Sequence, residues 1–383
     1  MKSIKIVTPV LLIISCLLSS CGSQTASTSN VVNVTVSENE IEPVTLPEVL
    51  DSEDNNSSGD SNIPAEDVFE EYDITLMAVG DNLMHMGVIN AGKQNDGTYN
   101  YDFLFKGISG YLADADIKII NQETILGGND FGFSGYPHFN SPTEVGDAIA
   151  SAGFNVVLHS SNHTADMGFE GLINCAAYWE QYPEVLTVGI YKEPTEEPET
   201  PLLTIEDVTF AVLNYTYGPN MEIFPNDLDL HMNFLCNFDE NTNQLDFTTI
   251  NPQVIEDIQK AEGLADVVIV CPHWGTEYTT TPSRYQKEWA TQMTEAGADL
   301  IIGTHPHVIQ PVEWIETENG NKALCYYSLG RAMENIWGTL RFNLFYFTGV
   351  LMMDVYCMIF GGTASVTYLN LSLFLSYATL FPD

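Results

Sequence analysis

The chain has 383 residues, with 52 acidic side chains against 12 basic ones and a formal net charge of -40. A hydrophobic content of 45% supplies ample core material and excludes wholesale disorder. The scarcity of Lys and Arg excludes nucleic acid as a partner, because binding phosphates takes clustered cations. A polyanionic substrate would be repelled unless metal ions or a local basic patch intervene.

Residues 1–21 read as an export signal. Lys2 and Lys5 open it, Ile6 to Leu18 is almost wholly apolar, and Leu18-Ser19-Ser20-Cys21 closes it. The apolar run is short for a membrane span. Its ending resembles the lipobox of bacterial lipoproteins, which implies cleavage before Cys21, lipidation of that thiol and an extracytoplasmic protein anchored to the cell membrane. The alternative is an ordinary secretory signal with Cys21 incidental. Residues 22–71 then carry no Lys or Arg and are rich in Ser, Asn, Thr, Val and Glu. Such a stretch buries too little apolar surface to order itself and is expected to be an acidic tether. Beyond Cys16 and Cys21, the remaining cysteines (175, 236, 271, 325 and 357) are odd in number and lack CxxC spacing. They imply neither a disulfide framework nor a Cys-ligated zinc. Cys271 and Cys325 sit in apolar runs and read as small buried residues.

Residues 72–340 are expected to form the folded domain. Strands are predicted at Ile74–Val79, Ile117–Ile120, Asn155–Leu158, Val267–Cys271, Leu300–Ile302 and Ala323–Tyr327. Helices are predicted at Thr143–Ala152, Gly171–Gln181, Pro252–Ala261 and Pro282–Ala296. This alternation argues an α/β domain with a substantially parallel sheet. Leu202–Tyr215, split by Glu206-Asp207, reads as a hairpin inserted between two halves. Residues 341–383 form an apolar tail with three readings open: a closing β-hairpin around Gly361-Gly362, a membrane element, or an abnormal C-terminus.

The residues that follow the strands carry the chemistry. They are Gly80-Asp81, Asn121-Gln122-Glu123, His159-Ser160-Ser161-Asn162-His163, Pro272-His273-Trp274-Gly275 and Gly303-Thr304-His305-Pro306-His307. Parallel strands present their carboxyl ends along one edge, where sites form. Carboxylates and neutral imidazoles suit Mn, Fe or Zn, and a carboxylate can bridge two cations. His305-Pro306-His307, read as extended, would place both rings on one side, able to address two metals. Each motif alone has a bland reading: a turn for Gly80-Asp81, a helix cap at Asn162 with His163 exposed, a half-buried imidazole at His273. Five together, in this order, point to a site.

These residues resemble the CapA family of capsule and poly-γ-glutamate synthesis proteins. The matching stretches also include Phe139-Asn140-Ser141-Pro142, Thr164-Ala165-Asp166-Met167-Gly168, Gly275-Thr276-Glu277-Tyr278 and Tyr327-Ser328-Leu329-Gly330. The resemblance implies a calcineurin-type, metallophosphatase-like β-sandwich flanked by helices, with metals at the carboxyl ends of the strands. It implies two divalent cations (Mn, Fe, Zn or Mg) held by Asp81, Glu123, Asn162, His273, His305 and His307, with Glu123 bridging. His163 matches the general-acid position. Asp166 either orients it or only supports the loop. His85, Glu277 and Arg331 are candidates for substrate contacts. Two departures bear on activity. The Asp-x-His usual in metallophosphatases is here Asp81-Asn82-Leu83, with His85 the nearest histidine, and the usual Leu-Gly-Asn is Leu329-Gly330-Arg331.

The expected function is synthesis, attachment or trimming of an anionic surface polymer through a metal-dependent hydrolase or transferase site. The implied partners are that polymer or its precursors, membrane synthase subunits, and the membrane through Cys21. The alternatives are an extracellular phosphomono- or phosphodiesterase and a non-catalytic scaffold of polymer assembly.

Overall fold

A computed structural model describes residues 70–220, 227–239, 242, 244–332, 334–335, 345–360 and 363–378. The expected signal with Cys21, and the tether up to residue 69, lie outside these residues. The elements begin with β1 (Glu70–Asp81), α1 (Met86–Ala91), α2 (Ser109–Asp114), β2 (Ile117–Asn121), α3 (Glu144–Ala152), β3 (Val156–Leu158), α4 (Gly168–Trp179) and β4 (Leu186–Val188). Next come β5 (Leu202–Ile205), β6 (Val208–Thr216), β7 (Cys236–Asp239), β8 (Gln244–Ile250), α5 (Pro252–Glu262), β9 (Val267–His273) and α6 (Arg284–Ala296). The last are β10 (Leu300–Ile302), β11 (Val312–Glu316), β12 (Lys322–Tyr326), β13 (Glu334–Asn335), β14 (Phe345–Phe360) and β15 (Thr363–Ala378).

Two sheets carry the fold, where the alternation of strands and helices by itself argues a single parallel one. The first runs β13-β14-β1-β2-β3-β4, with β15 beside β14. Strands β1 to β4 are parallel, and β14 closes on β1 antiparallel. The second runs β11-β12-β10-β9-β6-β5, parallel from β12 to β6 and antiparallel at both edges. The segment around Glu206-Asp207 is a hairpin, as its sequence indicates. It is not an insertion: β6 pairs in parallel with β9 and belongs to the second sheet.

Side-chain alternation decides how the sheets stack. Ile74, Leu76 and Ala78 face one way on β1, and Met77 and Val79 the other. On β9, Val267, Ile269 and Cys271 likewise oppose Val268 and Val270. The first set from each strand meets between the sheets, in a core that also takes Phe210, Leu300 and Tyr326. The second sets pack under helices: α1–α4 cover the first sheet and α5–α6 the second. Strands apolar on both faces therefore read in the sequence as unbroken apolar runs. Helices α5 and α6 start where the chain supplies caps. Asn251 accepts from the Gln253 amide ahead of Pro252, and Ser283 with Gln286 forms a reciprocal capping box. Cys175, Cys236, Cys271 and Cys325 are free and buried. Of the three readings of the tail, the described residues take the hairpin, and β14 follows β1 in register from Glu70↔Ile359 to Val79↔Val350. Among the described residues, no helix is long and apolar enough to cross a membrane.

Candidate metal centre

Each sheet contributes a different chemistry to one spot. The ends of β1, β2 and β3 deliver Asp81, Glu123, Asn162 and His163, and the ends of β9 and β10 deliver His273, His305 and His307. All seven are buried. Two glycines make the approach of these segments feasible. A Cβ on Gly80 would lie 2.0 Å from the Gly330 carbonyl oxygen, and one on Gly303 would lie 2.1 Å from that of Tyr327. The Asp81 amide donates to the Gly330 carbonyl at 2.9 Å, and the Gly303 amide to the Tyr326 carbonyl at 2.7 Å.

The acids and imidazoles form three overlapping groups whose ligand atoms lie within 4.8 Å of one another: Glu123-His273-His305, Asp81-Glu123-His307 and Glu277-His305-His307. Glu123 is common to the first two, the position a bridging carboxylate takes. His307 Nδ1 lies 2.9 Å from Asp81 Oδ2, and the His305 amide donates to Asp81 Oδ1 at 3.1 Å. Across the sheets, His273 Nε2 lies 2.8 Å from Asn162 Oδ1, while its Nδ1 lies 2.9 Å from the Thr304 hydroxyl. Thr304 thereby orients the ring from behind, as partners of metal-ligating histidines do. Asn121 does the same for Asp81, donating to Oδ1 at 2.8 Å.

The charges are out of balance in a way that a cation would correct. Neither carboxylate oxygen of Glu123 has a hydrogen-bond partner among the described residues, nor has His305 Nδ1. The Nε2 atoms of His307 and His273 stand 3.7 and 3.9 Å from Glu123 Oε1. Burial, reinforced by the Asp81 charge, pushes the Glu123 carboxyl well up and favours its neutral form. Burial likewise pushes His273 well down and His305 to about 3, His307 adding repulsion in both. A buried acid without donors beside imidazoles held neutral is a donor set that fits divalent cations.

The loop that carries the last two imidazoles departs from its expected extended form. His305 and His307 adopt positive φ, 93° and 59°, through successive bends. Non-glycine residues in such conformations cost on the order of 1–3 kcal/mol, strain that collects at functional sites. The bends, rather than strand alternation, bring the two rings to 5.7 Å from one another.

The remaining candidates fall around this cluster. His163 is neither capped out nor exposed: its Nδ1 lies 2.7 Å from Asp166 Oδ2, and Phe139 packs edge-on against its ring at 4.6 Å. Asp166 thus touches His163 and, through the same Oδ2, accepts from the Phe139 amide at 2.6 Å, a contact for each of the two roles open to it in the sequence. His85 also meets Phe139 in an edge-to-face contact. Burial lowers its pKa to about 4, with Arg331, His307 and His163 repelling its proton. Glu277 is exposed at the rim. Arg331 donates from Nη2 to the Tyr278 hydroxyl at 2.6 Å, and the Tyr278 ring lies 5.8 Å from that of His307. A cavity of about 470 Å³ opens beside His305, walled by Tyr217, Phe247, Tyr285 and Trp289, with Glu277 at its edge.

Sequence reasoning missed the supporting residues. Asn121 and Thr304 lie within the motifs that follow β2 and β10 but were not singled out there as site residues. Tyr217 packs against His305 at 4.8 Å and His273 at 6.4 Å and hydrogen-bonds Asn162, with no motif to mark it. His159 belongs elsewhere: it is buried in the core and its Nε2 accepts from the Trp179 indole at 2.7 Å.

Fold and site together define a two-sheet α/β protein with a buried acid–imidazole cluster that could hold metal ions. The chain belongs to the family of bacterial capsule synthesis proteins PGA_cap, whose profile matches residues 75–335. It is 27% identical over 270 residues to the capsule biosynthesis protein CapA of Bacillus anthracis, a match covering 68% of this chain and 60% of that protein. It is 29% identical over 195 residues to the PGA biosynthesis protein CapA of Bacillus subtilis, covering 50% of this chain and 46% of that one. The chain thus spans about half of the length of these relatives. A hypothetical protein of known structure from Thermus thermophilus aligns over 78% of this chain and 99% of its own, at 13% identity and a TM-score of 0.41.

Proposed function

We propose that this chain acts in capsule or poly-γ-glutamate synthesis as a metal-dependent hydrolase or transferase of metallophosphatase type, tethered to the outer face of the cell membrane. The observation that carries the chemical part is Glu123, a fully buried carboxylate whose oxygens have no donors among the described residues and which two imidazoles face. Membership of a capsule synthesis family supports the biological part, with a polymer of that machinery or its precursor as substrate. The Lys2–Cys21 signal supports the tether and the lipid anchor.

Asp81, Glu123, Asn162, His273, His305 and His307 would hold divalent cations, two by the overlap of the groups. Bound there, the cations would supply Lewis acidity toward a phosphoryl or acyl oxygen. The protein's own groups do the rest. Asp166 accepts from His163 Nδ1, so that the doubly protonated imidazole would give its Nε2 proton to a leaving oxygen and return to the Nδ1-protonated form. The Phe139 ring packs against His163 and keeps the imidazole in place.

The first test is metal content of the full chain by mass spectrometry, wild type against the double variant His305→Ala, His307→Ala. Loss of bound metal supports the centre, and unchanged content refutes it. The second is turnover of an aryl phosphate with added manganese, lost in His163→Ala. One observation favours the scaffold reading: Leu83 is buried and apolar where a metallophosphatase carries the His of its first motif, so this motif contributes only Asp81 to the three groups. Polymer assembly that continues in an Asp81→Ala, His273→Ala protein would decide for it.

A further inference from the structure

We infer that Arg331, held by Tyr278, forms an oxyanion-recognition site on one flank of the candidate metal centre, selecting substrates by a carboxylate or phosphate group. This rests on the reading of the cluster as the reacting site. It goes beyond that reading by naming what binds beside it.

The placement of Arg331 is fixed by backbone as well as side chain. It pairs with Asp81 in a parallel bridge, the Asp81 amide donating to the Gly330 carbonyl and the Ala332 amide to the Asp81 carbonyl, each at 2.9 Å. A residue tied this way to a candidate ligand cannot drift from the site. Its guanidinium lies 5.4 Å from the centre of the Tyr278 ring and donates to the Tyr278 hydroxyl at 2.6 Å. Tyr278 is itself held unusually. It adopts a positive φ of 58°, and its amide donates to the Pro306 carbonyl at 2.8 Å, inside the loop that carries His305 and His307. One loop therefore sets both the imidazoles and the tyrosine that steers the cation.

The charge of Arg331 reaches the centre. It acts on Glu123 and on His85. In a chain with 12 basic residues against 52 acidic ones, a cation at that place matters more than it would elsewhere. The field of the whole protein repels an anionic substrate, and a local positive charge is what offsets that repulsion on approach. Guanidinium matches carboxylate and phosphate in planar, bidentate fashion, and an aromatic face beneath it reduces the freedom lost on binding. The cavity beside His305 differs in kind: it is walled by aromatic rings and carries Glu277.

The test uses the full chain with and without added manganese, and two probes, inorganic phosphate and glutarate, with dissociation constants measured by calorimetry. Arg331→Asn should weaken at least one probe by about tenfold or more. Arg331→Lys should recover part of this, since the charge returns without the fork. Tyr278→Phe, which keeps the ring and removes the hydroxyl, should fall between wild type and Arg331→Asn. A larger loss for phosphate assigns a phosphoryl group to the site, and a larger loss for glutarate assigns a carboxylate. Metal content is measured on every variant and should match wild type. Equal affinity of wild type and Arg331→Asn for both probes, with or without metal, overturns the inference. Absence of bound metal in the wild type overturns the metal centre instead, while the effect of Arg331→Asn on metal-free protein still decides the anion site.

Discussion

The first sheet supplies acids and amides to the centre and the second supplies imidazoles. Asp81, Glu123 and Asn162 close β1, β2 and β3, whereas His273, His305 and His307 close β9 and β10. The two groups that contain Glu123 draw on both sheets, whereas the third, Glu277-His305-His307, lies wholly with the second. The halves are joined by the core between the sheets and by direct contacts, His273 to Asn162 and His307 to Asp81. The face-to-face packing of two sheets is thus what sets the distances among ligands. Substitutions that attack one half, the joint, or neither should separate cleanly.

The largest effect is expected from removing the shared acid. Glu123→Gln keeps the shape and deletes the charge that a cation needs, so bound metal in the full chain should fall to background. Because burial already favours the neutral carboxyl, the variant should melt no lower than wild type when both are stripped with chelator. A variant that keeps its metal would show that Glu123 is not a bridge, and one that unfolds would show that its carboxylate holds the fold.

Next comes the joint. Phe210 is fully buried between the sheets, and Phe210→Ala should cost about 3–5 kcal/mol in denaturant unfolding. Ile258, also fully buried, belongs to α5 and packs on the far side of the second sheet, and Ile258→Ala should cost about 2–5 kcal/mol. The discriminating reading is metal affinity at conditions where both remain folded: it should drop for Phe210→Ala and hold for Ile258→Ala. Equal losses would mean that the ligand distances do not depend on how the sheets meet.

A smaller effect separates the core histidine from those of the site. His159 is held neutral by burial, its pKa near 3 against 6.5 in the unfolded chain. The unfolded chain therefore takes up a proton first as pH falls. The stability tied to this residue is complete above pH 6.5 and is lost progressively toward pH 3, about 2 kcal/mol of it by pH 5. His159→Gln removes the titration. Urea unfolding of metal-free protein at pH 7 and pH 5 should show a smaller acid loss in the variant, and identical losses would place His159 in contact with water.

Much of the site was legible in the sequence because strands buried on both faces must be apolar throughout. The polar residues that follow such runs stand out, Asp81, Glu123, Asn162, His273 and His305 among them. What was hidden depends on more than one segment. That the strands form two sheets follows from which faces meet, and runs apolar on both faces carry no sign of it. The positive φ of His305 and His307 is set by contacts such as the Asp81 carboxylate with the His305 amide, 224 residues away in sequence. Tyr217 serves the site by packing from a loop after β6. The tail stayed open because an apolar run broken by Gly361-Gly362 suits a hairpin as well as a membrane segment, and only pairing with β1 distinguishes them.

The smallest expected change touches one hydrogen bond within the acid half. Asp166 Oδ2 accepts from both the Phe139 amide and His163 Nδ1, at 2.6 and 2.7 Å. An ionised carboxylate can only accept, so the proton between the two side chains belongs to the imidazole, and Nε2 is left facing the reaction. Asp166→Asn replaces one acceptor oxygen by a donor or moves it, and His163 loses the partner that fixes its tautomer. Metal content should not change, because neither residue is in a ligand group. Nitrogen NMR of the His163 ring should show the Nδ1-protonated form in wild type and a mixture in the variant. Turnover of an aryl phosphate should fall about tenfold or more, within the range that a positioned general acid contributes. If the tautomer persists in Asp166→Asn, the contact only braces the loop through Phe139, and the orientation of His163 must come from the packing of the Phe139 ring.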